Sequence, residues 1–255
     1  MLKNKTILIT GASRGLGADT ARVFAENGAN VAVNYFKSKE KAEQLCKEIN
    51  GKNGSAAAFF ADVTSAGDVD AMVSAITDHF GSIDVLINNA LPSYKFDPSQ
   101  RYTSIETAEW EDFEKQYQGA VKAAYNCVRA VLPKMKDRNY GRIVNISTNL
   151  VYNPVVTYYD YTTAKAGMIG LTRNLAAELG QYGITVNLIA GGLLSETDAS
   201  KVSGKEVFDT VAGLSPLKKV VTTDQFAKAA LFFASDLSEA VTGQSISVDA
   251  GLTMT

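Results

Sequence analysis

The 255-residue sequence predicts a three-layer α/β/α fold, in which about seven parallel strands form a doubly wound sheet with helices on both faces. Short apolar runs alternate with longer amphipathic stretches along the chain. The runs lack the strict polar alternation of half-exposed strands, as expected for strands covered on both faces. Such alternation implies right-handed crossovers between parallel strands. Because no linker or repeat divides the chain, we expect one domain over residues 1–255.

Seven apolar or β-branched runs are the predicted strands, and five longer stretches are the predicted helices. The strands are Thr6–Thr10, Val31–Tyr35, Ala57–Phe60, Ile83–Ile87, Arg142–Ile146, Ile184–Leu188 and Ser245–Val248. The helices are Asp19–Asn27, Ser38–Ile49, Val69–Phe80, Trp110–Lys136 and Ala164–Gln181. Two long loops are expected at Leu91–Ala108 and Gly191–Leu214, each after a strand. Ligands bind at the carboxyl edge of such sheets, so we expect a substrate wall and, near 191–214, a lid.

Composition argues against several classes of protein. The 25 basic and 27 acidic residues give a net charge of −2, which argues against a basic nucleic-acid-binding protein. Two cysteines, Cys46 and Cys127, form no CxxC motif, which favours a reducing, cytoplasmic location. The apolar runs are shorter than the roughly 20 residues of a membrane-spanning helix. The single histidine, His79, does not support a histidine-rich metal site, so we expect no metal.

A glycine-rich turn after the first strand predicts a dinucleotide site. The glycines of Thr10–Gly17 follow the pattern G-x-x-x-G-x-G, and a helix follows. Gly11 allows a tight turn, Gly15 lets backbone N–H groups approach a pyrophosphate, and Gly17 lets the helix pack closely on the sheet. Such a turn can also bind nothing, but its place between strand and helix favours nucleotide binding. The expected cofactor contacts are Gly11, Ser13, Arg14, Gly15, Leu16 and Gly17.

The tip of the second strand predicts NADP(H) as the cofactor. An Asp or Glu at that tip would bind the ribose hydroxyl of NAD, but Asn34–Lys39 contains no carboxylate. We expect Asn34, with Lys37 and Ser38, to contribute to this end of the cofactor site. Arg14, Lys37, Ser38 and Lys39 together are suited to a 2′-phosphate. The alternative for the lysines is a solvated helix start, which is the better interpretation for Lys39.

Tyr161 and Lys165 are the candidate proton-transfer pair. Four residues apart on a helix, they share one face, and an ammonium beside the phenol is expected to lower its pKa from about 10. A phenol tuned in this way can protonate a carbonyl oxygen as a hydride arrives. The same spacing occurs at Tyr35 and Lys39, but only Tyr161 follows the fifth strand by a short loop.

Together these motifs resemble the short-chain dehydrogenase/reductase family over about 5–249, nearest to its NADPH-using 3-oxoacyl-[acyl-carrier-protein] reductase branch. The residues that carry the resemblance are Thr10–Gly17, Asp62-Val63, Asn88-Asn89-Ala90, Tyr161 with Lys165, and Ile184–Asn187. It implies a Rossmann-type NAD(P)-binding fold, with an adenine flanked by Asp62 and Val63 and a cofactor groove lined by Asn89, Ala90, Ile146, Gly191 and Gly192. The alternatives are an N-cap role for Asp62, on the helix entering at Ser65, and turn-stabilising roles for Asn88 and Asn89.

Several positions depart from the family pattern. Thr148, beside Ser147, stands where the family usually has its catalytic serine. Ala120, or Gly119 at the loosest, stands where a helix asparagine usually completes a proton relay through a bound water. Leu91 replaces a glycine, and Gly191-Gly192 replaces Pro-Gly. Because Thr148 keeps a hydroxyl, the reductase role is expected to persist, whereas the usual relay is in doubt.

The resemblance and the motifs predict an NADPH-dependent carbonyl reductase acting on a 3-oxoacyl thioester or a smaller ketone. Tyr161 is the expected acid, Thr148 or Ser147 the hydrogen-bond donor to the carbonyl oxygen, and Lys165 the group that tunes Tyr161. Aromatic residues in the loops suggest a pocket for apolar or flat groups: Tyr94, Phe96, Tyr102, Tyr152, Tyr158 and Tyr159. The alternative is an NADP(H)-binding sensor with little turnover.

Two kinds of partner are expected. Carrier-protein reductases meet an acidic acyl carrier protein, and a basic patch of Arg129, Lys134, Lys136 and Arg138 suits this role, although a solvated helix end explains it equally well. The resemblance also implies fatty acid metabolism and a homotetramer that forms through the long helices and the C-terminal strand.

Overall fold

Seven parallel strands form the central sheet, as the sequence predicts. The computed structural model describes residues 1–92, 94, 104–195, 197 and 204–254. The strand order is β3-β2-β1-β4-β5-β6-β9, and every pair is parallel. The strands are β1 (Thr6–Ile9), β2 (Asn30–Tyr35), β3 (Ser55–Phe60), β4 (Val85–Asn88), β5 (Gly141–Thr148), β6 (Ile184–Gly191), β7 (Leu194–Ser195), β8 (Val221–Thr222) and β9 (Ser245–Val248). Strands β7 and β8 form a separate parallel pair.

Helices cover both faces of this sheet. They are α1 (Gly15–Glu26), α2 (Lys39–Gly51), α3 (Ala66–Phe80), α4 (Trp110–Tyr117), α5 (Ala123–Asp137), α6 (Tyr159–Leu179), α7 (Lys205–Leu214) and α8 (Thr223–Ala234). Within the described ranges, no helix combines the length and apolar character needed to cross a bilayer.

The core divides into layers because successive side chains of a strand point to opposite faces of the sheet. On β1, Ile7 and Ile9 pack in one cluster with Phe24 of α1 and Phe226 of α8. Leu8 faces the other layer, which contains residues of α3 and α5. Burial on both faces explains why the strands read as continuous apolar runs, and it brings their carboxyl ends to one edge.

The predicted helix Trp110–Lys136 is not a regular α-helix. A π-helical turn, Gln118–Lys122, separates α4 from α5. A Cβ at Gly119 would collide with the ring of Pro92, so glycine there lets the helix approach the segment after β4. Ala120 is buried in the same turn, in a small cluster with Ala164 and Met168 of α6. Such π-helical turns within helices often lie at functional sites.

The prediction of an irregular loop over Gly191–Leu214 is wrong in part. Strand β7 lies near its start, pairing Leu194 with Val221 of β8, and α7 forms its end. Helix α8 was also missed, although a capping box between Thr222 and Gln225 begins it. The remainder of this segment at 196 and 198–203, like 93 and 95–103, lies outside the described residues.

Candidate active site

The glycine-rich turn has the geometry that a phosphate cradle requires. Gly11 and Gly15 have φ of +62° and +53°, in the left-handed region that favours glycine. A Cβ at Gly17 would lie 2.7 Å from the carbonyl oxygen of Gly11 and 2.7 Å from Nδ2 of Asn89. Only glycine therefore allows α1 to begin so close to the turn. Leu16 is partly buried against the core, so its side chain anchors the start of the helix.

The N-terminus of α1 fits an anion. Its N-cap residue is Arg14, whose side chain does not cap the helix, and its first turn, 15–18, carries no acidic side chain. The first N–H groups of a helix lack intrahelical acceptors and carry partial positive charge. A pyrophosphate at this position would meet those groups and no opposing carboxylate from the first turn. The chain's own residues thus fit a dinucleotide.

Asn34 and Asn89 brace the cradle from two sides. Asn34 Oδ1 accepts a hydrogen bond from the Gly11 N–H at 3.0 Å, and Asn34 Nδ2 donates to the Ala61 carbonyl at 3.3 Å. Asn89 Nδ2 donates to the Thr10 carbonyl at 2.8 Å. The Ala90 N–H donates to Thr10 Oγ1 at 2.9 Å. Both side-chain amides therefore form hydrogen bonds with main-chain groups. We expected Asn34 to contribute to the cofactor site, and in the structure its side chain holds the glycine-rich turn.

Of the predicted 2′-phosphate residues, Arg14 alone lines the groove beside the cradle. Ser13 and Arg14 line an open groove of about 490 Å³ between α1 and α2, together with Lys41, whereas Lys37 and Ser38 do not. Ser38 is the N-cap of α2, and its hydroxyl makes no capping hydrogen bond there. Lys41 was not predicted for this groove because it lies inside the helix, where a lysine usually signals only a solvated face. Lys39 pairs with Glu43 at 3.8 Å, which agrees with a solvated helix start.

Asp62 closes a turn and does not cap a helix. Its Oδ1 accepts hydrogen bonds from the Thr64 N–H at 2.9 Å and from Thr64 Oγ1 at 2.7 Å. The N-cap of α3 is Ser65, so the alternative of an Asp62 cap is wrong. Val63 is buried, and its carbonyl accepts a hydrogen bond from Asn126 Nδ2 of α5 at 3.0 Å. This contact, invisible in the sequence, ties the segment after β3 to α5.

Tyr161 and Thr148 meet at the carboxyl end of β5. Thr148 is the last residue of β5, and Tyr161 lies in the first turn of α6. Burial raises the pKa of the Tyr161 phenol to about 12, and a hydrogen bond with the Thr148 side chain opposes that rise. The phenol is 8% exposed and therefore neutral at ordinary pH.

Lys165 lies one turn along α6 from Tyr161, whose pKa is raised and not lowered as predicted. Its Nζ donates to the Ile146 carbonyl at 2.8 Å, and burial lowers its pKa to about 8. The expectation that Lys165 lowers the pKa of Tyr161 is wrong for this structure. Desolvation disfavours the charged form of both groups, so it raises the pKa of the acid and lowers that of the base. Ile146 therefore contributes its main-chain carbonyl to the site, as the acceptor for Lys165 Nζ.

Ser147 and Thr148 serve different purposes. Ser147 Oγ donates to the carbonyl of Lys165 at 3.0 Å, which ties β5 to α6. Thr148 Oγ1 accepts from the Leu150 N–H at 3.3 Å and reaches Tyr161. Alternate residues of a strand point to opposite sides, so only one of the pair faces the phenol. The geometry favours Thr148 over Ser147 as the hydroxyl beside Tyr161.

A directed hydrogen-bond chain ends at a cavity beside Lys165. The Thr172 hydroxyl donates to a main-chain carbonyl and accepts from Asn145 Nδ2, so Asn145 Oδ1 accepts from Asn88 Nδ2. This order leaves Asn88 Oδ1 as an acceptor, buried and without a partner in the described part of the chain. Asn88 lines a cavity of about 10 Å³ together with Ala120 and Lys165. A single water is the largest occupant such a volume suits.

The turn after β5 is fastened to the C-terminal segment. Asn149 Nδ2 donates to Asp249 Oδ2 at 2.9 Å, and both residues are buried. A Cβ at Gly192 would lie 2.8 Å from Cβ of Asp249, so the second glycine of Gly191-Gly192 is needed for this contact. A Cβ at Gly191 would lie 2.9 Å from the ring of Phe226. These two glycines bring the end of β6 close to the Thr148 turn.

Three of the predicted aromatic residues gather at this site. The rings of Tyr94 and Tyr161 lie 5.0 Å apart, and those of Tyr94 and Tyr158 lie 5.7 Å apart. Tyr152 packs partly buried against the small cluster around Ala120. Tyr159 is the first residue of α6, and two predicted members lie outside the described residues: Phe96 and Tyr102.

The predicted basic patch is largely engaged with its own neighbours. Arg138 pairs with Asp84 at 2.8 Å, and Lys136 pairs with Glu178 at 3.5 Å. Arg129 lies over the ring of an exposed tyrosine in α5. The charge offered to an acidic partner is therefore smaller than the sequence suggests. Among the residues that the structure describes, no three His, Cys, Asp or Glu side chains come together as a metal site.

Comparison with known proteins identifies the family of this chain. The family model described as "Enoyl-(Acyl carrier protein) reductase" matches residues 11–253. The chain belongs to the short-chain dehydrogenase/reductase family. It is 37% identical over 256 residues to the 3-oxoacyl-[acyl-carrier-protein] reductase FabG of Staphylococcus aureus, with both chains fully covered. It is accordingly an oxidoreductase that acts on CH–OH or C=O groups.

Solved structures of this family share the fold across the whole chain. A 3-oxoacyl-[acyl-carrier protein] reductase from Brucella melitensis is 32% identical and has a TM-score of 0.88, with 100% of this chain and 93% of that one covered. A protein from Agrobacterium tumefaciens proposed to be a gluconate dehydrogenase is 31% identical, with a TM-score of 0.90 and coverage of 100% and 98%. These relatives support the sheet topology.

Proposed function

We propose that the protein is an NADPH-dependent reductase of ketones and that 3-oxoacyl thioesters are its substrates. The observation that carries this proposal is the contact between Tyr161 and Thr148 at the carboxyl edge of the sheet. The glycine cradle that would hold the pyrophosphate lies at the same edge. The name of the Staphylococcus relative supports the thioester class, and Arg14 at the cradle supports the phosphorylated cofactor.

In the proposed reaction, two side chains handle the carbonyl oxygen. NADPH, when bound, supplies the hydride that reduces the carbonyl carbon. Thr148 orients the oxygen by a hydrogen bond, and Tyr161 donates its phenolic proton to that oxygen. Lys165, with a pKa of about 8, is mostly protonated near neutral pH and can return a proton to the site. Burial of all three groups keeps water from competing for these hydrogen bonds.

Segment 191–214 is proposed to cover the substrate. Helix α7, at its end, contains no fully buried residue, and its last residue, Leu214, is exposed. An element with few buried contacts opens at low free-energy cost, which suits a lid. The apolar residues of α7 would then face an acyl chain in the closed state.

A purified-enzyme assay tests this proposal. NADPH and NADH are each offered with a panel of ketones: acetoacetyl thioesters of N-acetylcysteamine and of acyl carrier protein, and keto forms of sugar acids. We expect turnover with NADPH and a thioester, and a fall in kcat of about 10²–10⁴ in Tyr161→Phe, with NADPH binding retained. Tyr182→Phe, at a tyrosine just before β6 and so at the opposite edge of the sheet, is the matched control.

Each outcome decides one part of the proposal. Unchanged turnover in Tyr161→Phe would refute the acid, and a preference for NADH would refute the 2′-phosphate argument. Turnover of sugar-acid ketones alone would replace the thioester class. NADPH binding without turnover of any ketone would favour the sensor alternative.

A homotetramer is the proposed assembly. Large apolar side chains are exposed along α4 and α5, including Trp110 at 68% exposure and Tyr125 at 48%. Exposed apolar surface of this kind marks protein–protein interfaces. Light scattering after gel filtration should give the mass of four chains, and a monomer mass would exclude the assembly.

A reducing compartment, the cytoplasm, is the proposed location. Cys46 and Cys127 are both buried and free of disulfides. Burial raises the pKa of the Cys46 thiol to about 11 and that of Cys127 to about 12, so neither supports disulfide exchange.

A further inference from the structure

A buried carboxylate lies directly before the proposed acid. Asp160, in the first turn of α6, is 6% exposed, and its Oδ1 accepts a hydrogen bond from the Tyr94 hydroxyl at 2.9 Å. Hydroxyl–carboxylate hydrogen bonds are roughly twice as strong as neutral ones. Asp160 belongs to a long helix, whereas Tyr94 belongs to the segment after β4. The bond therefore fixes a loop side chain to a rigid element.

The ring that Asp160 holds lies against Tyr161. The ring centroids of Tyr94 and Tyr161 are 5.0 Å apart with an interplanar angle of 39°, and the ring of Tyr158 meets Tyr94 edge-on at 5.7 Å. Tyr94 thus closes one side of the phenol.

We propose that Tyr94, held by Asp160, determines the size of the ketone substituent that the site admits. This inference rests on the proposed reductase function and names a specificity residue for it. The ring leaves room for a small or flat group, such as the methyl group of an acetoacetyl thioester, and excludes a branched group. Tyr94 is the specificity-determining residue, and Asp160 is a positioning residue that acts through it.

The chemistry of the pair explains why a tyrosine is needed. A phenylalanine would supply the same ring, but it would lack the hydroxyl that anchors the ring to α6. A ring anchored at its far end cannot swing aside to admit a larger substrate. In a packed site, one methylene group changes discrimination between substrates by about 10- to 200-fold. A fixed ring therefore suffices to separate straight-chain from branched ketones.

The experiment measures a ratio of specificity constants. Acetoacetyl and 4,4-dimethyl-3-oxopentanoyl thioesters of N-acetylcysteamine differ only in a methyl or a tert-butyl group on the ketone. We expect Tyr94→Ala to raise kcat/KM for the branched substrate relative to the small one by about tenfold or more. Tyr182→Ala, at a tyrosine that lies just before β6 and therefore at the opposite edge of the sheet, should leave the ratio unchanged. General damage to the fold lowers both constants together and does not move their ratio.

A double-mutant cycle tests whether Asp160 acts through Tyr94. Asp160→Ala should shift the ratio in the same direction as Tyr94→Phe, and the double variant should shift it no further. Asp160→Asn keeps an amide oxygen as acceptor, so it should restore most of the wild-type ratio. If Asp160→Ala does not fold, as judged by NADPH binding, Asp160→Asn replaces it. In that case Tyr94→Phe should shift the ratio and Asp160→Asn should not.

Failure of this inference differs from failure of the proposed function. If the wild-type protein reduces acetoacetyl thioester and Tyr94→Ala leaves the ratio unchanged, the specificity role is refuted. Additive shifts in the cycle would refute the coupling to Asp160. If the wild-type protein reduces no ketone while it binds NADPH, the proposed function fails, and the inference that rests on it fails as well.

Discussion

The buried ammonium of Lys165 makes the stability of the fold depend on pH, and Lys165→Met should remove that dependence. Burial lowers the pKa of Lys165 from 10.5 to about 8. The unfolded chain, in which the lysine is hydrated, therefore binds more protons than the folded protein between these two pH values. The free energy of unfolding rises with pH wherever the unfolded state binds more protons. The cost of burying the charge is thus fully present below about pH 8 and disappears above about pH 10.5.

The size of the effect follows from the same shift. One pKa unit corresponds to about 1.4 kcal/mol, so the charged lysine costs the fold about 3 kcal/mol at neutral pH. Linkage then predicts that the wild-type protein recovers about 2 kcal/mol between pH 7 and 10. Lys165→Met also removes the hydrogen bond to the Ile146 carbonyl, which costs about 1–3 kcal/mol at every pH. The pH dependence, and not the stability at one pH, is therefore the diagnostic quantity.

Urea unfolding at several pH values from 7 to 10 measures this dependence. As the pH rises from 7 to 10, the wild type should gain about 2 kcal/mol in free energy of unfolding relative to Lys165→Met. Lys205→Met, at a lysine 91% exposed, should track the wild type. Tyr161, whose pKa is raised to about 12, loses its contribution only above pH 10 and is common to all three proteins.

A difference that stays constant from pH 7 to 10 would refute the reasoning. It would mean that the Lys165 ammonium keeps its hydration in solution. The proposed supply of protons from a lysine that titrates near pH 8 would then lose its basis.

Three further outcomes are expected. Gly17→Ala should lower the free energy of unfolding by about 1–3 kcal/mol and abolish NADPH binding in a fluorescence titration. The reason is that the new Cβ would lie 2.7 Å from a main-chain oxygen. Gly67→Ala, whose Cβ would meet nothing within 4 Å, should leave both stability and NADPH binding unchanged. Thr148→Ala should lower kcat by about 10²–10³. Ser147→Ala should cost about 1 kcal/mol of stability and leave kcat near the wild-type value. The opposite pattern would make Ser147, and not Thr148, the hydroxyl that acts beside Tyr161. Cys127, with its pKa raised to about 12, should react with a thiol reagent only after denaturation, and modification of the native protein would contradict its burial.

The sheet and the cradle could be predicted because their signals are local. An apolar run bounded by turns predicts a buried strand, and glycine spacing between β1 and α1 predicts the turn. The π-helical turn, Gln118–Lys122, was not predicted because Trp110–Lys136 was interpreted as one continuous helix. Helix α8 had a usable signal in Thr222 and Gln225, since a threonine followed three residues later by a glutamine is typical of a helix start.

The contacts that complete the site could not be predicted, because they join distant positions. Tyr94 and Asp160 are 66 residues apart, and Asn149 and Asp249 are 100 residues apart. No periodicity connects such pairs, and each residue alone is typical of a loop or a helix start. Only the sheet order brings them together, since β4, β5 and β9 all end at the same edge.

The pKa of Tyr161 shows that burial can outweigh the effect expected from the sequence spacing of two residues. A lysine four residues from a tyrosine predicts a lowered pKa, yet the phenol is buried and its pKa rises to about 12. At neutral pH the raised pKa keeps the phenol protonated, as a general acid must be before its substrate binds. The free-energy cost moves to the moment of transfer, when a phenolate would form in a dry site. The hydrogen bond from Thr148 lowers that cost, and so would a charged Lys165 brought nearer. In the proposed reaction, proton release from Tyr161 therefore depends on these two neighbours being in place when the carbonyl oxygen arrives.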